Sequence, residues 1–182
     1  MACCSRAELV RSLRPGRVIR MPPASIPYDA VVEHRCGDFL ISTDRTLIDL
    51  EAVYRFLTNC YWAKGIPRDV VARSIEHSLC FGVYRGTRQA GFARVISDYA
   101  TYAYIGDVFI LEEHRGLGLG RQLIEAIMQH PSLQGLRRWS LVTRDAHGLY
   151  QPFGFTPLHA PDRWMEVHNP DVYKNSDKCS GA

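Results

Sequence analysis

The sequence lacks an apolar run long enough to cross a membrane, and no signal-peptide core follows its start. Its six cysteines show no metal-ligand spacing beyond one adjacent pair near the start. The formal net charge of +3 is too small to argue for a nucleic-acid partner. We therefore expect a cytoplasmic protein with reduced thiols that uses no metal and binds neither nucleic acid nor a membrane.

The length of 182 residues and the 46% hydrophobic content are typical of one domain with a substantial core. Positive charges are concentrated near the start, at Arg6, Arg11, Arg14, Arg17, Arg20 and Arg35. We interpret residues 1–38 as a basic, flexible N-terminal extension, with a targeting or interaction arm as the alternative. Residues 39–168 are assigned to the domain and residues 169–182 to a polar C-terminal tail.

Hydrophobic spacing predicts the order of helices and strands. A first helix is expected over residues 47–61, capped by Asp44 or Thr46, and a second helix begins at Pro67. The later segments are two strands in "LCFGVYRGTRQAGFARVISD", a mid-sheet strand "AYIGDVFI", a helix ending near His130, a strand "RRWSLVT", a short helix "DAHGLYQPF" and a last strand "RWMEV". The order α-α-β-β-β-α-β-α-β indicates an α/β fold with a mixed sheet.

The segment "HRGLGLGRQLIEAIM" places three glycines within five positions, directly after a buried strand and at the start of a helix. The first turn of a helix has unpaired N–H groups and a positive dipole end, and glycine lets a phosphate approach them. The spacing is not that of a P-loop, because no Lys-Ser/Thr pair follows, nor of a dinucleotide fingerprint, because the third glycine is missing. A turn that only tightens strand–helix packing is the alternative.

Two motifs resemble the GNAT superfamily of acetyl-CoA-dependent N-acetyltransferases. "RGLGLG" fits its R/Q-x-x-G-x-G/A signature, "LYQPFGF" fits its Y-x-x-x-GF segment, and the resemblance covers roughly residues 39–168. It implies a mixed, mostly antiparallel central sheet flanked by helices. It also implies that main-chain N–H groups hold the coenzyme A pyrophosphate, while a strand edge pairs with the pantetheine. The pyrophosphate residues are Arg115, Gly116, Leu117, Gly118, Leu119, Gly120 and Arg121, and the strand edge is Val108, Phe109 and Ile110.

The resemblance makes Tyr150 the proton donor to the departing thiolate, with a packing tyrosine as the alternative. Asp107 is the only ionisable residue within the apolar strand "YIGDVFI". It could take the proton of the amine, bind a cationic substrate, or pair with an arginine such as Arg94 for structural reasons. His147 lies three residues before Tyr150 and is a second candidate base or substrate residue.

Trp62 is the candidate acceptor-site residue, because the first two helices and their connection frame the acceptor pocket in that family; neighbouring Tyr61 is expected in the core. The resemblance thus implies transfer of an acetyl group from acetyl-CoA to a primary amine of a small molecule, by direct attack through a tetrahedral intermediate. A non-catalytic acyl-CoA-binding regulator and acetylation of a protein or peptide amine stay open as alternatives, as does a homodimer.

Overall fold

The computed structural model describes residues 30–173, in which one six-stranded sheet has its strands in chain order from β1 to β6. Neighbouring strands are antiparallel, except that β5 and β6 are parallel. The prediction of an α/β fold with a mixed, mostly antiparallel sheet is confirmed. The strands are β1 (Glu33–Cys36), β2 (Phe39–Ser42), β3 (Leu79–Arg85), β4 (Arg88–Ser97), β5 (Tyr102–Ile110) and β6 (Arg138–Leu141).

The helices correspond to the predicted ones with shorter bounds. They are α1 (Leu50–Asn59), α2 (Arg68–Glu76), α3 (Leu119–Gln129) and α4 (His147–Tyr150). The predicted caps of the first helix are wrong, because Asp49 accepts hydrogen bonds from the first-turn N–H groups of α1. Asp44 instead caps the short 3₁₀ turn Arg45–Leu47 that precedes it.

The β1–β2 hairpin is absent from the predicted order. Its turn contains Gly37 at a φ of +58°, and its two strands have four residues each, too few to show a clear alternation. The sheet therefore begins at Glu33, inside the segment assigned to the extension. Residues 1–29 of that extension, with most of its arginines, lie outside the described residues, as do residues 174–182 of the tail.

The predicted last strand "RWMEV" is wrong. Residues Pro161–Arg163 form a 3₁₀ turn, and the residues after it pair with no strand in the described part of the chain. Met165 and Val167 are almost completely exposed, although their alternation is typical of a half-buried strand. A strand needs a partner as well as a pattern, and this segment has no strand partner among residues 30–173.

Two apolar clusters cover the two faces of the sheet. One contains α3 residues such as Leu123 and Ile127 packed with Val95 and Ile105 of the central strands. The other contains residues of α1 and α2 together with Phe92 and Phe109. Because β4 and β5 contribute to both clusters, the sheet is covered on both faces at its centre, and α3 is held firmly at the end of β5.

Candidate active site

β5 is paired on both sides only along its first half. Its register with β6 runs from Tyr102↔Arg138 to Ile105↔Leu141, whereas its pairing with β4 continues to Ile110. The two parallel strands therefore part beyond Ile105, and the outer edge of the second half of β5 is left without a strand partner in the described chain. Val108, Phe109 and Ile110 lie on this edge, where an extended ligand could add like a further strand.

The glycine segment forms the turn between β5 and α3. Gly116 and Gly118 have φ angles of +78° and +76°, a backbone conformation that residues other than glycine rarely adopt. A Cβ atom at either position would have no other atom within 4 Å. These two glycines are therefore explained by backbone conformation and open space beside the turn, and tight packing explains neither. A Cβ at Gly120 would lie 3.7 Å from Leu149, an ordinary contact.

The flanking residues of the turn fix it to the sheet. Arg115 donates a hydrogen bond from Nε to the carbonyl oxygen of Ile110 at 3.1 Å. The N–H of Arg121 donates to the carbonyl of Gly118 at 3.1 Å, so the main-chain donors that can face a ligand lie before Arg121. Leu117 is exposed and Leu119 is buried in the core, which anchors the first turn of α3.

Tyr150 lies at the end of α4 and is buried, with Phe155 edge-on at 5.9 Å between ring centroids. Burial, together with a smaller effect of the nearby Tyr61 and Tyr104 hydroxyls, raises the pKa of its hydroxyl to about 12. The tyrosine also lines a cavity of about 300 Å³ together with His147, which is exposed at its rim. Tyr150 is thus a neutral hydroxyl that is packed in the core and still reaches a cavity.

Asp107 occupies a β-bulge of β5 and has a φ of +53°. Its Oδ2 accepts a hydrogen bond from Nε of Arg94 at 2.7 Å, and its Oδ1 accepts one from the indole N–H of Trp62 at 3.2 Å. Arg94 also donates to the hydroxyl of Ser78. Of the roles considered for Asp107, the geometry favours the ion pair with Arg94. Its hydrogen bond to Trp62 was not expected from the sequence.

An aromatic row leads from the edge of β5 to the surface. Phe56 stacks on Phe109 at 3.8 Å between centroids, and Trp62 lies 6.1 Å from Phe56. Tyr61 lies edge-on to Trp62 at 4.9 Å, and both are more than 40% exposed. The expectation that Tyr61 is a core residue is wrong, because α1 ends at Asn59 and the chain turns before reaching it.

Sequence reasoning missed Arg144, which lies in the connection between β6 and α4. Its guanidinium carbon lies 3.9 Å from the centroid of the Tyr61 ring, a cation–π contact that joins this connection to the loop between α1 and α2. No spacing or motif marks this arginine, since its role depends on how two irregular segments approach each other. The structure thus places Tyr150 and His147 on one cavity, and Trp62 and Asp107 in a second cluster on the β5 side.

Two negative findings hold for residues 30–173. No group of three or more histidine, cysteine, aspartate or glutamate side chains is gathered as a metal ion would require. No helix in this range is both long and apolar enough to span a membrane.

Comparisons with known proteins agree on one family. Residues 49–155 match the model of the acetyltransferase (GNAT) family. A Xanthomonas campestris pv. campestris crystal structure assigned to the GNAT family is 54% identical, with a TM-score of 0.73, covering 74% of this chain and 96% of that one. A Gibberella zeae protein assigned as an acetyltransferase is 35% identical over 137 residues, which are 63% of this chain and 76% of that protein. The chloroplastic GCN5-related N-acetyltransferase 1 of Arabidopsis thaliana is 27% identical over 148 residues, covering 78% and 72% of the two chains.

Proposed function

Because this chain belongs to the acetyltransferase (GNAT) family, an acetyl-CoA-dependent family, we propose that it transfers acetyl groups directly to a primary amine of a small molecule. The observation that carries this proposal is the combination of a half-unpaired β5 with an open glycine turn at its end. A strand edge and a helix start, directly joined, fit a ligand that has an extended amide-containing arm and a pyrophosphate.

The residues present fit both the pyrophosphate and the extended pantetheine arm of coenzyme A. A Cβ atom at Gly116 or Gly118 would meet no other atom within 4 Å, so a pyrophosphate has room to approach the main-chain N–H groups of residues 116–120. Val108 and Ile110 offer main-chain groups on the free edge of β5 to the amides of pantetheine. When bound, acetyl-CoA supplies the acetyl group as an activated thioester.

Tyr150 is assigned as the proton donor. A thiolate leaving group has a pKa of about 8.5, by analogy with cysteine, so a neutral hydroxyl next to the sulfur assists its departure. Burial of Tyr150 keeps its proton in place, since its pKa is raised to about 12. Its position on a cavity, with His147 at the rim, supports access to a reacting group.

The acceptor amine is assigned to the side of the aromatic row. Trp62 and Tyr61 present exposed ring surface close to the β5 edge, which suits an amine carried on an apolar or cationic group. Asp107 acts as a positioning residue, because it holds the indole N–H of Trp62 while Arg94 neutralises its charge. The amine is mostly protonated at neutral pH and loses its proton before attack, with His147 or water as the acceptor of that proton.

A two-stage experiment tests this function. Thermal-shift titration with acetyl-CoA, with NAD as the comparison nucleotide, should raise the melting temperature only for acetyl-CoA. Thiol release from acetyl-CoA is then measured across a library of primary amines. Binding without turnover on any amine, peptide amines included, would replace the transferase proposal by a non-catalytic acyl-CoA-binding role.

A further inference from the structure

Tyr104 of β5 lies where β5 and β6 part. It is paired with Ser140, and the pair Ile105↔Leu141 that follows it is the last one between the two strands. Ala103 and Ile105, its two neighbours in the strand, pack in the apolar cluster that contains α3. Because successive side chains of a strand point to opposite faces, Tyr104 faces the side of α1 and α2, where the acceptor is proposed to bind.

The ring of Tyr104 is turned along β5 toward the half of the strand that has a free edge. A Cβ atom at Gly106 would lie 3.1 Å from Cε1 of Tyr104 and 4.0 Å from Nη2 of Arg94. Glycine at this position therefore leaves room for the ring and the guanidinium side by side. Since Arg94 is paired with Asp107, which accepts the indole N–H of Trp62, the ring lies next to the acceptor side.

The hydroxyl of Tyr104 has no hydrogen-bond partner among residues 30–173, whereas the hydroxyl of nearby Tyr102 contacts that of Ser140. Its oxygen is accessible, in contrast to the buried hydroxyl oxygen of Tyr84. Burial of the ring and, to a smaller extent, the charge of Asp107 raise the pKa of Tyr104, so it is neutral at physiological pH. A neutral and accessible hydroxyl can both donate and accept a hydrogen bond with a ligand.

The two clusters of candidate site residues meet near this hydroxyl. Tyr150 belongs to the apolar cluster that contains α3, on the face of the sheet opposite to Tyr104. Burial and the hydroxyls of Tyr61 and Tyr104 together raise the pKa of Tyr150, so the Tyr104 hydroxyl is within electrostatic reach of Tyr150. The proposed function places the thioester next to Tyr150 and the amine near Trp62, and Tyr104 lies between these two positions.

We propose that the Tyr104 hydroxyl accepts a hydrogen bond from the reacting amine of the acceptor and holds its nitrogen against the acetyl carbon. This assignment rests on the proposed transferase function and adds a residue that binds the nucleophile. A neutral primary amine has two N–H groups, so one can donate to Tyr104 while the lone pair points at the acetyl carbon.

The transfer step leaves Tyr104 protonated throughout. The lone pair of the amine forms the N–C bond, and the C–S bond then breaks with its electron pair going to sulfur. Tyr150 gives its proton to the thiolate and regains one from water. The nitrogen loses its surplus proton to His147 or water, so the products are the amide and free coenzyme A.

Steady-state kinetics of Tyr104→Phe test the assignment, with a primary amine that the wild type acetylates. We expect kcat/KM for the amine to fall by about two- to tenfold, the range for the loss of one hydrogen bond. The acetyl-CoA dissociation constant and the melting temperature should not change, because the hydroxyl has no partner to lose in the described chain. Tyr102→Phe, on the same strand and face, is the matched control and should keep a kcat/KM near that of the wild type.

Gly106→Ala moves the ring without removing the hydroxyl. The added Cβ would be 3.1 Å from the Tyr104 ring, so the ring must shift and kcat/KM for the amine should fall. In the double variant Gly106→Ala/Tyr104→Phe the glycine change should have little further effect, because both changes act on the same contact. Independent, additive effects would overturn the assignment.

Hydrolysis of acetyl-CoA without any amine distinguishes a contact with the amine from one with the acetyl group. Thiol release under these conditions should be the same in the wild type and Tyr104→Phe, and an equal fall in hydrolysis and transfer would overturn the assignment. If the wild type acetylates no primary amine, the proposed function fails and this inference fails with it. If the wild type acetylates an amine and Tyr104→Phe does so equally well, only this inference is overturned.

Discussion

The coenzyme side and the acceptor side of the candidate site differ in whether main-chain groups or side chains would contact the ligand. On the coenzyme side the groups proposed to contact the ligand are main-chain N–H and C=O groups at Gly116, Gly118 and the β5 edge. On the acceptor side the groups proposed to contact the substrate are the side chains Trp62, Tyr61 and Arg144, from two irregular connections. A site made of main-chain groups keeps its affinity through many side-chain substitutions but loses it when a new side chain blocks the ligand. In a site made of side chains, each substitution changes the affinity by a smaller amount. The expected effects of mutation should follow this difference.

The largest effect is expected from Gly118→Asp. The new side chain would project into the open space beside the turn and place a negative charge at the helix start, where the pyrophosphate is proposed to bind. Acetyl-CoA binding, measured by isothermal titration calorimetry, should become undetectable while the circular dichroism spectrum stays that of a folded protein.

Gly37→Asp is the matched control for that variant. Gly37 also has a positive φ, of +58°, and a Cβ there would likewise meet no atom within 4 Å, but it lies in the β1–β2 turn. Both variants bear the same backbone strain, so the loss of stability should be similar while only Gly118→Asp loses binding. Equal acetyl-CoA affinity in the two folded variants would reject the glycine turn as the pyrophosphate site.

Tyr150→Phe tests the proposed proton donor, because it removes only the hydroxyl of a tyrosine that lines a cavity. General acid catalysis typically contributes about 10²–10⁴-fold, so we expect kcat to fall at least about tenfold with little change in acetyl-CoA affinity. Tyr84→Phe is the control, because Tyr84 is buried and its hydroxyl has no hydrogen-bond partner among residues 30–173. If kcat of Tyr150→Phe stays near normal under conditions in which chemistry limits turnover, Tyr150 is not the proton donor and its role is packing in the core.

The pH dependence gives a separate test of Tyr150. A free tyrosine loses its proton near pH ~10, but burial raises the pKa of Tyr150 to about 12. A donor must be protonated, so deprotonation of Tyr150 should lower kcat only as the pH approaches that raised value. We expect the pH profile of kcat to show no alkaline decrease from this group below pH ~10. A decrease in that range that disappears in Tyr150→Phe would contradict the raised pKa of Tyr150, although it would leave the tyrosine as the proton donor.

The difference between the two sides also explains how much could be predicted. The glycine turn follows from residue type, because positive φ angles and open space select glycine, and "RGLGLG" shows this directly. Tyr61 was misjudged because helical spacing was extended past Asn59, where α1 ends. Arg144 could not be found, since its contact with Tyr61 joins two connections that no periodicity describes.

The errors in the sheet have a related cause. Four-residue strands such as β1 and β2 are too short for a pattern, while "RWMEV" has the pattern of a strand and lacks a neighbour in the described chain. Pairing between segments distant in sequence is invisible to local spacing. The long strands β3 to β5 were predicted because they are buried on both faces and read as apolar runs.

A smaller effect is expected from Trp62→Ala. If the indole forms part of the acceptor site, the KM for the acceptor amine should rise several-fold while the KM for acetyl-CoA hardly changes. Trp62→Phe keeps an aromatic ring but loses the hydrogen bond to Asp107, so its KM for the acceptor amine should lie between those of the wild type and Trp62→Ala. Because Trp62 is 43% exposed, its removal should lower the melting temperature only slightly. A large decrease, with unchanged KM, would identify it as a packing residue.

The smallest effect, and the one most specific to the acceptor side, is expected from Arg144→Gln. The guanidinium of Arg144 covers one face of Tyr61, which is the face that a cationic acceptor would use. An exposed cation–π contact is worth about 0.5–1 kcal/mol, or roughly a two- to fivefold change in an equilibrium constant. Removing the charge should therefore lower the KM of a cationic acceptor by about that factor and leave acetyl-CoA unaffected. Arg85→Gln, which removes a guanidinium 5.8 Å from the Phe39 ring near the other edge of the sheet, is the matched control. If the KM rises instead, Arg144 binds an anionic group of the acceptor, and the substrate class would change from cationic amines to amines that carry a carboxylate or phosphate.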